Sequence, residues 1–333
     1  MTVGSGLGAS IGFGQETSYG TYAAPTRWLA FESESLNVKR DFSKSTGLVS
    51  GNLVPLAQEN VLLTQSVDGN IKMPVPVSGF GLILKNALGS TATPVENGTS
   101  GSYTQTHTVG GTVGDSLTVQ IGRPLTTGVV VPYTYLGCKV TGLDIELESG
   151  NLAMATVDIV GQTMVTTQTL VTPVYSSTNP MVFSFTGGAI KASTTVGSET
   201  TIANVKKASV SLKRKLDTSR FYIGGSGLLA EPIEDDFLEC TGSLTTDLTD
   251  TTDWDSWVNS GAQLSVILNL VGNQIATGYS YELSIALPVV RIEGDDPKVN
   301  GAKIVERDVK FTTLNDLVHT PITYTYTSID TTL

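Results

Sequence analysis

One sequence pattern occurs twice in this chain, about half a chain apart, and it limits the possible folds more than any other feature. The first copy begins Ser35-Leu36-Asn37-Val38-Lys39-Arg40 and the second begins Ser209-Val210-Ser211-Leu212-Lys213-Arg214. A second shared run follows at nearly the same offset, Gly69-Asn70-Ile71-Lys72 in one copy and Gly242-Ser243-Leu244-Thr245 in the other. Such alternation of apolar and polar residues is typical of strands. A repeat of this length predicts two copies of one domain rather than a solenoid.

The composition favours a mainly β fold. The chain has 333 residues, which is enough for two domains that each bury a core. Only 15% of the residues are charged, whereas Thr, Ser, Gly and Val are abundant, and these residues suit sheets and turns better than helices. We expect an N-terminal arm over residues 1–20, a first domain over 21–170 and a second over 171–333, since residues 166–180 are rich in Thr, Ser and Pro.

Charge and cysteine content exclude several classes of protein. The net charge of −11 argues against a surface that binds nucleic acid, because phosphate contacts require clustered Lys and Arg. Cys138 and Cys240 lie one in each half, so we expect two buried thiols rather than a disulfide framework. The sequence shows neither a signal-peptide pattern nor an apolar run of membrane-spanning length, so we expect neither export nor a membrane.

Alternating runs predict most of the strands, and two short aromatic runs predict one short helix in each copy, over residues 79–85 and 253–258. The run Glu148-Ser149-Gly150-Asn151 predicts a hairpin turn in which Gly150 takes a positive φ. The predicted strands cover residues 27–40, 66–75, 103–109, 116–123, 135–148, 151–162, 181–185, 205–214, 238–248, 262–271, 279–293, 302–313 and 321–327.

A long loop separates the first and second strands of each copy, over residues 41–65 and 215–237. Structureless loops longer than about 12–15 residues are usually functional or disordered. We expect their aliphatic side chains to be exposed and to contact a protein partner, although each loop could instead fold over the sheet of its own domain. The side chains in question are Leu53, Leu56, Leu228 and Leu229.

The sequence offers little for catalysis or for metal binding. His107 and His319 are the only histidines, and the usual nucleophile, zinc and phosphate-loop motifs are lacking. The acidic run from Glu293 to Pro297 offers oxygen ligands for calcium, but it lacks the spacing of an EF-hand and reads better as a solvated turn. We therefore expect a protein that is not an enzyme and that has no cofactor and no metal.

Acidic side chains follow the pleat of two predicted strands. Asp144, Glu146 and Glu148 alternate with Ile145 and Leu147, which places the three carboxylates on one face. Glu32 and Glu34 share a face by the same rule, and a plain solvent-facing sheet explains both groups equally well.

One segment near the start of the sequence reads Gly8-Ala9-Ser10-Ile11-Gly12-Phe13-Gly14-Gln15-Glu16-Thr17-Ser18-Tyr19-Gly20-Thr21. This segment resembles the start of the major tail tube proteins of long-tailed, siphovirus-type phages of actinobacteria. The resemblance spans most of the chain and is weakest over residues 166–203. The other matching segments are residues 27–36, 79–85, 227–233, 287–299 and 321–328.

The resemblance implies an antiparallel β-sandwich or barrel, duplicated here, each copy having one short flanking helix and a long loop. Such subunits form rings that stack into a hollow tube for the genome. The loops, with Leu53, Leu56, Leu228 and Leu229, would contact the next ring. Two tube domains in one chain predict three chains per ring with pseudo-sixfold symmetry, the alternative being six chains. The candidates for an acidic lumen that does not bind the passing DNA are Glu32, Glu34, Asp144, Glu146 and Glu148.

The same resemblance implies a place in the phage tail, synthesis in the host cytoplasm, and three partners: the tape measure protein, the tail terminator and the distal tail protein. Another class is a different β-sandwich surface module, such as a capsid decoration, an adhesin or a carbohydrate-binding module. A module of that kind usually displays an aromatic platform, for which only Trp28 is a candidate. A glycoside hydrolase with paired carboxylates is the third class, but a shared strand face does not make a cleft.

Overall fold

The computed structural model describes residues 4–177, 181–248, 257, 261–294, 299, 301–302 and 304–333. Strands dominate this part of the chain, as the composition predicts, and it contains one α-helix longer than a turn, α1 (Gly81–Leu88). The strands of the first half are β1 (Ser10–Gln15), β2 (Arg27–Leu29), β3 (Ser33–Glu34), β4 (Asn37–Lys44), β5 (Asn60–Pro74), β6 (Gly89–Thr91), β7 (Val95–Glu96), β8 (Tyr103–Val109), β9 (Leu117–Pro124), β10 (Val130–Glu148), β11 (Met154–Gly161) and β12 (Thr163–Val165). Those of the second half are β13 (Gly188–Ser193), β14 (Thr200–Thr201), β15 (Val205–Lys213), β16 (Glu239–Asp247), β17 (Gln263–Ala276), β18 (Tyr279–Gly294), β19 (Glu306–Thr313) and β20 (Thr323–Ser328).

The named strands pair antiparallel in one connected network that runs through both halves. One path through this network, which we call the long sheet, has the strand order β4, β5, β11, β10, β15, β16, β19 and β18. The N-terminal part of β10 also pairs with β9 and β12, and β9 pairs with β1. β18 pairs with β17 over residues 279–291 and with β20 over residues 282–286, and β17 pairs with β13.

Period-two alternation places one face of the long sheet in the core and the other in solvent. On β10, Leu143, Ile145 and Leu147 are buried, whereas Glu146 and Glu148 are exposed. The buried face belongs to one apolar cluster that extends from Phe13 and Ile71 in the first half to Val210, Phe311 and Tyr324 in the second. An antiparallel sheet with one dry and one wet face is the expected result of this sequence pattern.

The turn between β10 and β11 confirms the predicted hairpin. Gly150 has φ +86°, and the backbone N–H of Asn151 donates to the carbonyl of Glu148 at 3.0 Å. Glycine reaches this left-handed conformation at no steric cost, so the turn closes tightly.

The first predicted helix is confirmed as α1, which ends at Gly89 in the left-handed conformation with φ +84°. The N–H of Gly89 caps the helix by donating to the carbonyl of Lys85. Of the second predicted helix, residues 253–258, only Trp257 lies within the described residues, and it is helical.

Several segments differ from the prediction. Residues 27–40, predicted as one strand, form the three separate strands β2, β3 and the start of β4. Residues 181–185 do not form a strand; Val182 and Ser184 make single bridges to Pro76 and Leu152, and Phe183 is buried between them. The strand β13 was not predicted, because its sequence, Gly-Ala-Ile-Lys-Ala-Ser, has only one residue of high β propensity. Tertiary pairing with β17 forms it instead.

The N-terminal arm forms β1, which pairs with β2 on one side and with β9 on the other, so it is not an edge strand. Gly12 is required there, because a Cβ at this position would lie 2.8 Å from the ring of Trp28. Trp28 itself is buried, with 6% of its surface exposed.

The first long loop is shorter than predicted. β4 and β5 continue into it as a hairpin, with Asp41 opposite Thr64 and Lys44 opposite Asn60, which leaves residues 45–59 as the tip. The prediction of a structureless segment over residues 41–65 is therefore wrong at both of its ends.

Candidate assembly surfaces

The solvent face of the long sheet is polar across both halves, and we call it the polar face. Asp144 lies opposite Thr156 on β11 and Ser211 on β15, and Ser243 on β16 lies opposite Lys310 on β19. Carboxylates outnumber basic residues on this face. The carboxylates are Asp41, Asp68, Asp144, Glu146, Glu148, Asp158, Glu239, Asp247, Glu293, Glu306 and Asp308, and the basic residues are Lys39, Lys72, Lys207, Lys213, Arg291 and Lys310.

Two neighbouring carboxylates, Asp144 and Asp158, lie at the centre of this face. Burial raises the pKa of Asp158, the neighbouring charge of Asp144 raises that pKa further, and Lys213 opposes the shift. Two carboxylates this close indicate a face whose negative charge is only partly compensated.

The structure separates the five lumen candidates. Asp144, Glu146 and Glu148 lie on the polar face, with the Glu146 carboxylate 3.7 Å from the Lys207 ammonium. Glu32 lies at the edge of the same face, where its carboxylate is 2.9 Å from the ammonium of Lys72.

Glu34 lies elsewhere, so the expectation that it shares a face with Glu32 is wrong. The chain bends at Glu32, and Glu34 is opposite the buried Ile71. The Arg123 guanidinium binds both carboxylate oxygens of Glu34, at 2.9 and 3.0 Å, and this carboxylate is largely buried. An acid neutralised in this way adds little field to a solvent-facing wall.

The second long loop packs against the first half of the chain. The N–H of Gln65 donates to the carbonyl of Gly227 at 2.8 Å, and the N–H of Leu229 donates back to the carbonyl of Gln65. Leu229 is fully buried and Leu228 is half-buried. The expected exposure of Leu229 is therefore wrong, because the first half covers it.

Two buried cations hold this loop, and the sequence analysis missed both. The Lys139 ammonium, 1% exposed, lies 2.8 Å from the Glu231 carboxylate. The Arg214 guanidinium, 3% exposed, lies 2.8 Å from the Glu234 carboxylate and donates to the carbonyls of residues 87, 88 and 110. A basic residue at an inward position of an alternating strand is the sequence signal that would have found Lys139.

No described part of the chain covers the tip of the first hairpin in this way. Leu48 and Leu53 are fully exposed, Val54 is 74% exposed, and Leu56 is half-buried. On the second loop the exposed apolar side chains are Tyr222, Ile223 and Phe237, none of which was predicted. Exposed apolar side chains grouped in this way mark contacts with other proteins.

The remaining candidate groups show no catalytic arrangement. His107 is buried with its Nδ1 at 2.7 Å from the Thr91 hydroxyl, and burial lowers the pKa of His107 to about 3. His319 lies in an exposed turn and contacts Asp316. Cys138 and Cys240 are both free and buried, as predicted. Residues 295–297 of the acidic run lie outside the described residues.

Within the described ranges, no group of three or more His, Cys, Asp and Glu residues is arranged to hold a metal ion. Nor is any helix there long and apolar enough to cross a membrane.

Comparison with known proteins identifies the family. A profile described as phage tail tube protein matches residues 6–313. The match covers nearly the whole chain, so this protein belongs to the phage tail tube family. It is a structural protein of the phage tail, in a family whose members assemble into a tube. A comparison with curated proteins found no match.

Proposed function

We propose that this chain polymerises as stacked rings into the hollow tail tube of a siphovirus-type phage of actinobacteria, and that the polar face lines the bore through which the genomic DNA passes. The observation that carries the proposal is that this face continues across both halves from β5 to β19 and is polar at nearly every position, with the apolar Met154 and Pro74 lying side by side at one end. A wall that DNA must slide along needs hydrated side chains and few places for phosphates to bind.

The charge of the face suits passage rather than binding. Asp144, Glu146 and Glu148, with Glu32 at the edge, would repel the DNA phosphates, and Lys72 and Lys207 are partly neutralised by acids nearby. DNA would thus pass without specific contacts.

The strand pairings support two tube domains per chain, with residues 21–170 in the first and 171–333 in the second. Each copy of the repeated strand has the same register, since Asn37 lies opposite Asp68 and Ser211 lies opposite Thr241. Strand neighbours also repeat. The counterparts are β1 and β13, β4 and β15, β5 and β16, β9 and β17, β10 and β18, β11 and β19, and β12 and β20. Tail tubes commonly have six domains per ring, so we infer three chains per ring.

The exposed hairpin tip supports stacking between rings. Leu53, with Leu48, Val54 and the partly exposed Leu56, would be buried against the adjoining ring, as would Leu228 and Ile223 of the second loop. In the virion the tube would enclose the tape measure protein and end at the tail terminator and the distal tail protein, after synthesis of the chain in the host cytoplasm.

The alternative of a carbohydrate-binding or adhesive module has less support. Its one candidate platform residue, Trp28, is buried beneath β1 and cannot meet a ligand at the surface.

Reversing the charge of the bore tests the proposal. Phage that carry D144K, E146K and E148K together should assemble tails of normal length but eject DNA more slowly, with the difference shrinking at high salt. E96K, on β7 away from the long sheet, is the matched control. Normal ejection by the triple variant would contradict a bore lined by this face.

A further inference from the structure

The two halves of the chain are joined by a seam between β10 and β15. Gly142 lies opposite Lys213, Leu143 opposite Leu212, and the pairing continues to the end of β10. The N–H of Arg214 donates to the carbonyl of Thr141 at 2.7 Å, and the Arg214 side chain enters the first half. This seam therefore combines a strand pair with a buried arginine.

Each half has a second edge that the seam does not use. β4, the counterpart of β15, pairs with β5 on one side only within the described residues. At the end of β18, the counterpart of β10, Glu293 and Gly294 pair with β19, and the pairing of β17 on the other side stops at Arg291. These are the same two edges that form the seam inside the chain, and here they have no partner strand among the described residues. Unpaired strand edges template association.

We propose that β4 of one chain pairs antiparallel with Glu293 and Gly294 at the end of β18 of a second copy, in the register of the internal seam. The inference rests on the proposed assembly and identifies the lateral contact within a ring. The contact is head-to-tail, so repeated copies close a ring if the rotation allows it.

The repeat fixes the register of this contact. Asn70 in the first copy and Ser243 in the second are equivalent positions. Asn70 lies opposite Asp158, which lies opposite Gly142. Ser243 lies opposite Lys310, which lies opposite Glu293. Glu293 is therefore the counterpart of Gly142.

Lys39 is the counterpart of Lys213, because both hold the fifth position of the repeated run. Since Gly142 lies opposite Lys213, the proposed contact places Lys39 opposite Glu293. The register follows from the repeat alone, and it places a lysine opposite a glutamate. Both side chains are more than 60% exposed in the single chain, so they are free to exchange their present partners.

The arginines that follow Lys39 and Lys213 differ in burial. Arg214 is buried against the first half, whereas Arg40 is exposed. Their strands have the same sequence pattern, so the difference lies in the neighbour. The strand of Arg214 has the other half of the same chain beside it. The strand of Arg40 has no such neighbour among the described residues, and the second half of another chain would supply one.

Cysteine cross-linking tests the register. Because Arg214 and Thr141 are a hydrogen-bonded pair, Gly142 and Lys213 are a non-hydrogen-bonded pair, and the equivalent K39C and E293C would have Cα atoms about 4.5 Å apart, within the range of a disulfide. The native cysteines are buried and free, so the wild-type chain gives the background. We expect a mixture of the two single variants to form disulfide dimers on oxidation. The double variant should give a ladder that ends at the trimer.

The matched control pairs K39C with R291C, which is displaced by two residues along the same strand and should not cross-link. Charge reversal gives an independent readout: K39E should raise the concentration needed for assembly about two- to fivefold, and K39E with E293K should restore it.

The outcomes separate this inference from the proposed function. If hollow rods form but the matched pair does not cross-link, or the displaced pair cross-links equally well, the seam is wrong and the tube stands. If neither rods nor cross-links form under any condition, both proposals are contradicted.

Discussion

Arg214 and Arg40 occupy the same position of the repeated strand, yet the Arg214 guanidinium is 3% exposed and bound to Glu234, whereas Arg40 is exposed to solvent. The two residues therefore form a matched pair for mutation. Mutation of Arg214 tests the fold of the single chain, and mutation of Arg40 tests contact between chains.

We expect R214A to lower the free energy of unfolding by about 3 kcal/mol, because it removes the counter-charge of Glu234 and takes one donor from each of three backbone carbonyls. R40A should change this free energy by less than about 0.5 kcal/mol. Urea titrations of the unassembled chain measure both values. R40A should nevertheless weaken assembly, as sedimentation velocity would show, and normal assembly of R40A would contradict a contact at this edge.

The ion pair of Lys139 and Glu231 yields a second prediction. The lysine is almost fully buried and has only Glu231 and the carbonyl of Thr112 as nearby acceptors among the described hydrogen bonds. E231A should therefore cost about 3 kcal/mol, because it leaves a buried ammonium without its counter-charge.

A double variant, K139M with E231A, is the control for this pair. It removes the charge along with its partner and should recover most of the loss in the same urea titration. If the double variant is no more stable than E231A, the cost comes from packing of the loop rather than from the unpaired charge.

His107 predicts a dependence of stability on pH. Burial lowers its pKa from 6.5 to about 3, so the folded chain holds this histidine neutral while the unfolded chain protonates it below pH 6.5. Its contribution to stability is therefore complete above pH 6.5 and is lost as the pH falls towards 3. Between pH 7 and pH 5 the loss should be about 2 kcal/mol.

Thermal or urea unfolding at several pH values checks this. H107Q should flatten the dependence between pH 7 and 5, whatever its effect on absolute stability, and H319Q should keep the wild-type slope. The same slope in H107Q as in the wild type would show that other groups cause it.

Leu53 and Leu229 distinguish contacts between chains from contacts within one. L53D should leave the unfolding free energy within about 0.5 kcal/mol, since Leu53 is fully exposed, but it should shorten or abolish rods by placing a charge in the buried contact. L229A should instead cost about 2–5 kcal/mol in the single chain. Rods of normal length from L53D, measured by electron microscopy, would exclude the hairpin tip from stacking.

Local signals in the sequence predict much of this fold, because they act over a few residues. Alternation gives β8 and β15 almost to their ends, the turn residues give Gly150 its positive φ, and the Phe-Gly-Leu-Ile-Leu run gives α1. The free, buried cysteines also follow from their number and setting.

The parts that the sequence does not predict depend on contacts between distant residues. Leu229 is buried because Gln65 binds its backbone, and Glu34 lies off the polar face because Arg123 binds its carboxylate. Neither partner is within 85 positions of the residue it holds. The two loops are similar in length and composition. The second is covered because the first half of the chain lies against it, and the sequence of the loop does not reveal that contact.

The most direct test of the central claim is negative-stain electron microscopy of the purified chain at rising concentration, with averaging of end-on views. We predict hollow rods or rings with a sixfold outline modulated with threefold symmetry, formed by three chains per ring. A ring of six complete chains would contradict the two-domain arrangement, and compact monomers under every condition would contradict the tube itself.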